Sequence, residues 1–235
     1  MSCKVVGSSL KTSIASSSGV LYRIFFTGTS CCWAHLRSML GLSHLHWDHV
    51  GDPAPFTSAE LVVGADAVSV LQTSYPANPK STILALPANR RVSYMHFAPS
   101  HMETSREPFG PFERAIDFYG DGSLYLIDAP GHLDGHLAAA ARIGPQTFVV
   151  LAGDACHARA NYCPGHRMFG PVMHSHKELA RDTIGRLTKL DRDYPQAVVV
   201  LAHESERETV DGMPFFPERL NEWAMDLGKK RAVQT

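Results

Sequence analysis

Six consecutive residues, His44-Leu45-His46-Trp47-Asp48-His49, set three imidazoles and a carboxylate side by side. Neutral imidazoles and carboxylates are ready ligands for zinc, and a carboxylate such as Asp48 also serves as a base. If Ser43 to Trp47 leaves a strand, its side chains alternate, so His44, His46 and Asp48 share one face. His49 then turns away from that row, and Gly51-Asp52-Pro53 breaks the strand into a loop. One row with one neighbour can serve two adjacent ions. The competing reading is a histidine-rich surface loop without metal, and the ligand-type segments further along the chain weigh against it.

Those segments come in order. They are Pro130-Gly131-His132-Leu133-Asp134-Gly135-His136, then Leu151-Ala152-Gly153-Asp154, then Val198-Val199-Val200-Leu201-Ala202-His203. With Ser43 to His49 they resemble the HxHxDH signature, the PGHxxGH segment, the strand ending in a bridging aspartate and the strand ending in a last histidine. These are the four marks of the metallo-β-lactamase superfamily. The wording around them is nearest to its lactonase-like branch, which includes many fungal hydrolases. The resemblance runs from about Ser43 to about His203. It implies an α/β fold, an αββα sandwich, with a hydrolase domain over residues 44–235.

Composition is consistent with one globular domain. The chain has 235 residues, of which 44% are hydrophobic and 19% charged, enough for a sizeable core. A net charge of −1 with no basic run argues against a nucleic-acid partner. No apolar stretch approaches a membrane span. Five cysteines, an odd number, fit a reducing, cytoplasmic compartment better than a disulfide framework.

Residues 1–43 read as an atypical or truncated segment. They contain no Asp or Glu and are rich in serine, and only Val20 to Phe26 looks like a strand. The resemblance calls for several strands before His44, so the first sheet is expected to be incomplete. Beyond Pro53 the pattern is regular. Ala59 to Gly64 is a buried strand, and Ala65 to Leu71 a short helix. Phe112 to Phe118 and Ser123 to Ile127 flank Gly120-Asp121-Gly122 as a hairpin. Thr147 to Ala152 and Ala197 to Ala202 read as strands. Leu137 to Ala141 is alanine-rich, with helical propensity, and is assigned as a strand from the resemblance. Lys177 to Leu190 and Pro217 to Lys230 are helices, the first with Ser175 as its cap. His96 and His101 show no ligand-like spacing.

The resemblance assigns His44, His46 and His132 to one ion, and Asp48, His49 and His203 to a second. Asp154 bridges them. The nitrogen and oxygen donors suit two zinc ions per chain. The implied reaction is opening of a lactone, lactam or (thio)ester of a small-molecule substrate by a hydroxide held between the metals, with Asp48 moving a proton. Relatives in this branch often carry a substrate-binding tyrosine where His157 stands, so His157 is a candidate hydrogen-bond donor. His136 is not expected to be a ligand, and Cys156 is expected to be a buried, inert thiol. His174 and His176 are expected to cap a helix or to serve a substrate loop. Iron-dependent oxidoreductases of the superfamily usually place a glutamate at the position of His46, so redox chemistry is not expected. The alternatives are a non-catalytic remnant of the fold and a glutathione-thioester hydrolase; no Lys/Arg set for the glutathione carboxylates is evident.

Overall fold

The computed structural model describes residues 15–16, 20–21, 24–26, 39–53, 57–97, 107–162, 173–204, 212–213 and 220–234. His101 and the cysteines at 3, 31, 32 and 163 lie outside them. Two sheets face each other. The first has the order β3 (Ile24–Phe26), β4 (Met39–Gly41), β5 (Glu60–Gly64), β6 (Val92–Met95). The second has the order β11 (Ala197–Val200), β10 (Phe148–Leu151), β9 (Leu137–Arg142), β8 (Leu124–Asp128), β7 (Ala115–Asp117). Ala15–Ser16 (β1) and Val20–Leu21 (β2) form a separate short antiparallel ladder.

Alternation explains why the strands of the second sheet are apolar throughout. Leu137, Ala139 and Ala141 of β9 face the core between the sheets, as do Val149 and Leu151 of β10 and Val198 and Val200 of β11. The intervening Ala138, Ala140, Val150 and Val199 face the other way. A strand buried on both faces must read as a continuous apolar run. The alanines of β9 are therefore strand residues between two covering layers, and tertiary burial overrides their helical propensity.

Helix α3 (Lys177–Asp193) covers the outer face of this sheet through Ile184, Leu187 and Leu190. On the other side of the molecule, Leu61 and Val63 of β5 pack with Leu45, Val50 and Ala67. The last two belong to the turns of helix α1 (Trp47–Val50) and a 3-10 turn (Ala65–Ala67). Helix α2 (Val68–Leu71) adds Val70 and Leu71. The layers are thus helix, sheet, sheet, helix, an αββα sandwich. Helix α4 (Leu220–Gln234) sets Ala224 into the core between the sheets, with Trp223 and Leu227 packed against it.

The layout differs from the sequence reading in four places. The strand before the histidines ends at Gly41; His46 makes only an isolated bridge to Ile83, and Trp47–Val50 is a helical turn. The extended row therefore holds for His44 and His46 but not for Asp48. Strand β6 went unread because its four residues are only partly buried and do not alternate. The helical spacing of Leu179, Ile184, Leu187 and Leu190 predicts one apolar face on α3, but Leu179 is 46% exposed. The residue at the N-cap of α3 is His176 rather than Ser175, and it makes no side-chain cap.

Leu187 is fully buried under the second sheet. Leu187→Ala should lower unfolding free energy by about 2–5 kcal/mol, whereas Leu179→Ala should change it by no more than about 0.5 kcal/mol. Urea denaturation of the two variants checks both values.

Candidate metal centre

Strands β8, β10 and β11 run in the same direction, since β9 is antiparallel to β8 and β10, and β10 is parallel to β11. Their C-terminal ends open on one edge of the sandwich. His132 follows β8, Asp154 follows β10 and His203 follows β11. The end of β4 reaches the same edge, because the Leu137 N–H donates to the Ser43 carbonyl at 2.7 Å. Connectivity alone thus gathers four separate segments.

Asp154 is the centre of the gathering. It is buried in the 3-10 turn Gly153–Ala155, and its two oxygens face different sets of rings. Oδ2 lies 3.7 Å from His44 Nε2, 3.4 Å from His132 Nε2 and 3.3 Å from His157 Nε2. Oδ1 lies 3.2 Å from both His49 Nε2 and His203 Nε2. Asp48 Oδ2 joins the second set, 3.7 Å from His49 Nε2 and 3.8 Å from His203 Nε2. His46 joins the first, with Nδ1 2.9 Å from His44 Nε2 and 3.1 Å from His132 Nε2.

Ring partners fix which nitrogens carry lone pairs. His132 Nδ1 is 2.7 Å from the Met173 carbonyl, which can only accept, so Nδ1 holds the proton and Nε2 the lone pair. Ser43 Oγ sits 3.2 Å from His44 Nδ1 and 3.3 Å from His49 Nδ1, and orients both rings. His136 is fully buried behind the site, where its Nε2 accepts the Asp154 N–H at 3.1 Å. That ring supports the carboxylate from behind and offers no nitrogen to the cluster's centre.

Burial keeps four of the rings neutral. Burial, with the neighbouring His136, pushes His132 down to about 2; burial also lowers His136 to about 3. Burial holds His44 well below the usual imidazole value and lowers His46. For Asp154 burial works upward, but the surrounding His157, His203 and His49 outweigh it and hold the carboxyl far below its ordinary range. His203 alone is raised, by its bond to Asp154.

This donor set fits divalent metal. Ring nitrogens of His44 and His132 both meet His46 Nδ1, at 2.9 and 3.1 Å, and one proton cannot satisfy both contacts. Donors held ~2.0–2.1 Å from a tetrahedral ion lie about 3.3 Å apart, close to the spacings here. The donor atoms of His44, His46, His132 and Asp154 lie within 4.8 Å of one another, and so do those of Asp48, His49 and His203.

Two glycines let the His132 loop close. A Cβ at Gly131 (φ +126°) would lie 2.2 Å from the Ala180 backbone N, and one at Gly135 (φ +74°) 2.3 Å from the Ala67 N. The lead-in to α3 then clasps the loop, as Ser175 N–H donates to the His132 carbonyl and His176 N–H to that of Gly131, both at 2.9 Å. His174 and His176 separate here. His176 Nε2 bonds Asp134 Oδ1 at 2.7 Å near the surface, whereas His174 is buried, its ring 5.4 Å from those of His132 and His157. The burial of His174 was not readable from sequence, since it follows from docking α3 onto residues 131–132. His96 lies exposed at the end of β6, away from this cluster. Cys156 is buried and its thiol is raised to about 11, chiefly by desolvation.

Among known proteins, the chain is 32% identical over 222 residues to a metallo-hydrolase of Annulohypoxylon moriforme, covering 77% of this chain and 56% of that one. It is 29% identical over 226 residues to a gamma-lactamase of Fusarium pseudograminearum, covering 77% and 52%. It is 34% identical over 214 residues to part of a cytochrome P450 monooxygenase of Penicillium roqueforti, covering 80% of this chain but 24% of that one. The chain thus spans about half the length of the first two relatives and a quarter of the third. No protein-family model matches. In structure it is similar to AiiA of B. thuringiensis, solved with N-decanoyl-L-homoserine at its active site. That match has a TM-score of 0.55 and 20% identity, and covers 77% of this chain and 60% of that one. An N-acyl homoserine lactone hydrolase solved with N-hexanoyl-L-homoserine at its catalytic metal centre gives the same TM-score, identity and coverage. These likenesses show the shared fold.

The neutral rings give stability a defined pH dependence in the metal-free chain. Unfolded histidines protonate near ~6.5, while His132 and His136 stay neutral when folded down to about 2 and about 3. Below ~6.5 the unfolded state therefore binds more protons, and stability falls as the pH drops. Asp128, raised to about 6 chiefly by burial, works the other way, as does His203. The lowered rings of His44, His46, His132, His136 and His174 outnumber these two. The urea midpoint of chelator-treated protein should be lower at pH 5 than at pH 7.5; an equal or higher midpoint contradicts the neutral-ring cluster.

Proposed function

We propose that this chain is a lactonase-like hydrolase of the metallo-β-lactamase superfamily and opens a lactone, lactam or (thio)ester with two zinc ions. The observation that carries the reading is the division made by Asp154, with His44 and His132 at one oxygen, joined by His46, and His49 and His203 at the other, joined by Asp48. Two bound divalent ions lower the pKa of a coordinated water toward neutrality and polarise a carbonyl.

The protein's own groups then have separate tasks. Asp154 supplies the one charge shared by both halves. Asp48 is 24% exposed in its side chain, the most open carboxylate of the cluster, and is placed to move a proton between water and leaving group. We assign His157 the role of hydrogen-bond donor to the substrate carbonyl. Its ring lies between those of His132 and His203, at 5.1 and 5.3 Å, and remains 15% exposed. The gamma-lactamase relative supports an amide-like substrate, and the lactone-hydrolase structures share the fold. A cytoplasmic setting is in keeping with the unpaired, buried Cys156.

A panel of lactones, lactams and thioesters, including glutathione thioesters, on zinc-loaded protein tests the activity. At least one class should turn over, and no turnover of any class would favour a non-catalytic binding role. On a responsive substrate, Asp48→Asn should lower kcat roughly 100- to 10,000-fold and zinc content far less. Asp154→Asn should lose zinc as well as rate. Wild-type rates in both variants would refute the assignment.

A further inference from the structure

The histidines of the centre are not equally supported. His44, His132 and, in the second half, His49 have side chains 0%, 5% and 2% exposed and ring partners in Ser43 and Met173. His203, also of the second half, is 33% exposed and stands on a turn just beyond β11. Its ring lies flat against that of His157, with centroids 5.3 Å apart and planes 12° from parallel. Two loops carry these stacked rings, so something must hold the loops in register.

We propose that Arg159 is the positioning residue of this second half-site, an inference that rests on the two-metal reading above. Arg159 lies two residues after His157, and Glu204 lies one residue after His203. The guanidinium joins them by a fork: Nε bonds Glu204 Oε1, and Nη2 reaches Glu204 Oε2 at 3.3 Å. Nη2 also donates to the Val199 carbonyl at 2.6 Å, on the strand that leads to His203. Nη1 bonds Asp191 Oδ2 on α3. The guanidinium also lies 5.5 Å over the Tyr162 ring, which closes its other side.

One planar group thus ties the His157 turn to the His203 turn at two points and braces both on α3. Glu204 is 4% exposed in its side chain and Arg159 28%, so the carboxylate is shielded from water and meets the guanidinium through two of its nitrogens. Lysine could not reproduce it, because an ammonium has no fork to span Glu204, Val199 and Asp191 together. Arg159 touches neither Asp154 nor the cluster's centre and acts through the histidine that Glu204 carries.

The test is stepwise zinc titration of the metal-free full chain against a chromophoric chelator, for wild type, Arg159→Lys, Glu204→Gln and Asp191→Asn. Circular dichroism and urea midpoints of the same samples report folding. Arg159→Lys and Glu204→Gln should weaken the second zinc equivalent roughly 10- to 100-fold and leave the first nearly unchanged. Asp191→Asn, which breaks the same network away from His203, should lower the urea midpoint but spare both equivalents. Parallel loss of both equivalents, an Asp191→Asn effect as large as that of Glu204→Gln, or unfolding of both Arg159→Lys and Glu204→Gln would make the network merely structural and overturn the inference. Unchanged affinities would also overturn it while leaving the two-metal reading intact. A wild-type chain that takes up no zinc would overturn that reading, and the inference with it.

Discussion

The Asp154 carboxylate is the interaction on which the centre depends. It is one buried negative charge ringed by imidazoles, and its two oxygens sort those rings into two sets. Burying a lone carboxylate is costly. Here the cost is offset by surrounding donors, which hold the group ionised against its desolvation. Burial keeps the rings of His44, His46 and His132 neutral, so their lone pairs remain available to a cation.

The scaffold is arranged to deliver these groups. Parallel β10 and β11, and β8 two strands away, end at one edge and carry Asp154, His203 and His132 there. The first sheet meets that edge through the Leu137–Ser43 hydrogen bond, which brings His44 and Ser43 together with the second sheet. Close approach at Gly131 and Gly135 lets α3 and the Ala67 turn press on the His132 loop. Apolar layers pack on both faces of the second sheet behind this edge.

Much of this was legible in the sequence, for reasons that differ by element. β5, β10 and β11 show as apolar runs because both of their faces are buried. The hairpin of β7 and β8 shows through Gly120 and Gly122, both at positive φ. β9 was readable only through the resemblance, since five residues of Leu and Ala have helical propensity until a sheet claims them. The helical turn at Trp47–Val50 was hidden, because period-2 spacing of His44, His46 and Asp48 looks the same until the chain bends after His46. At the site, the motifs name His44, His49, His132 and His203 at Asp154 but not His157, which also meets it, and they do not say which oxygen each one faces. The burial of His174 and the fork of Arg159 left no local signal, because both depend on contacts between residues distant in sequence.

The most direct measurement is anomalous X-ray diffraction at the zinc edge from crystals of the zinc-loaded chain. The account predicts two anomalous peaks per chain, one beside each oxygen of Asp154, the first contacting His44, His46 and His132 and the second Asp48, His49 and His203. A single peak, or peaks with no contact to Asp154, would contradict it.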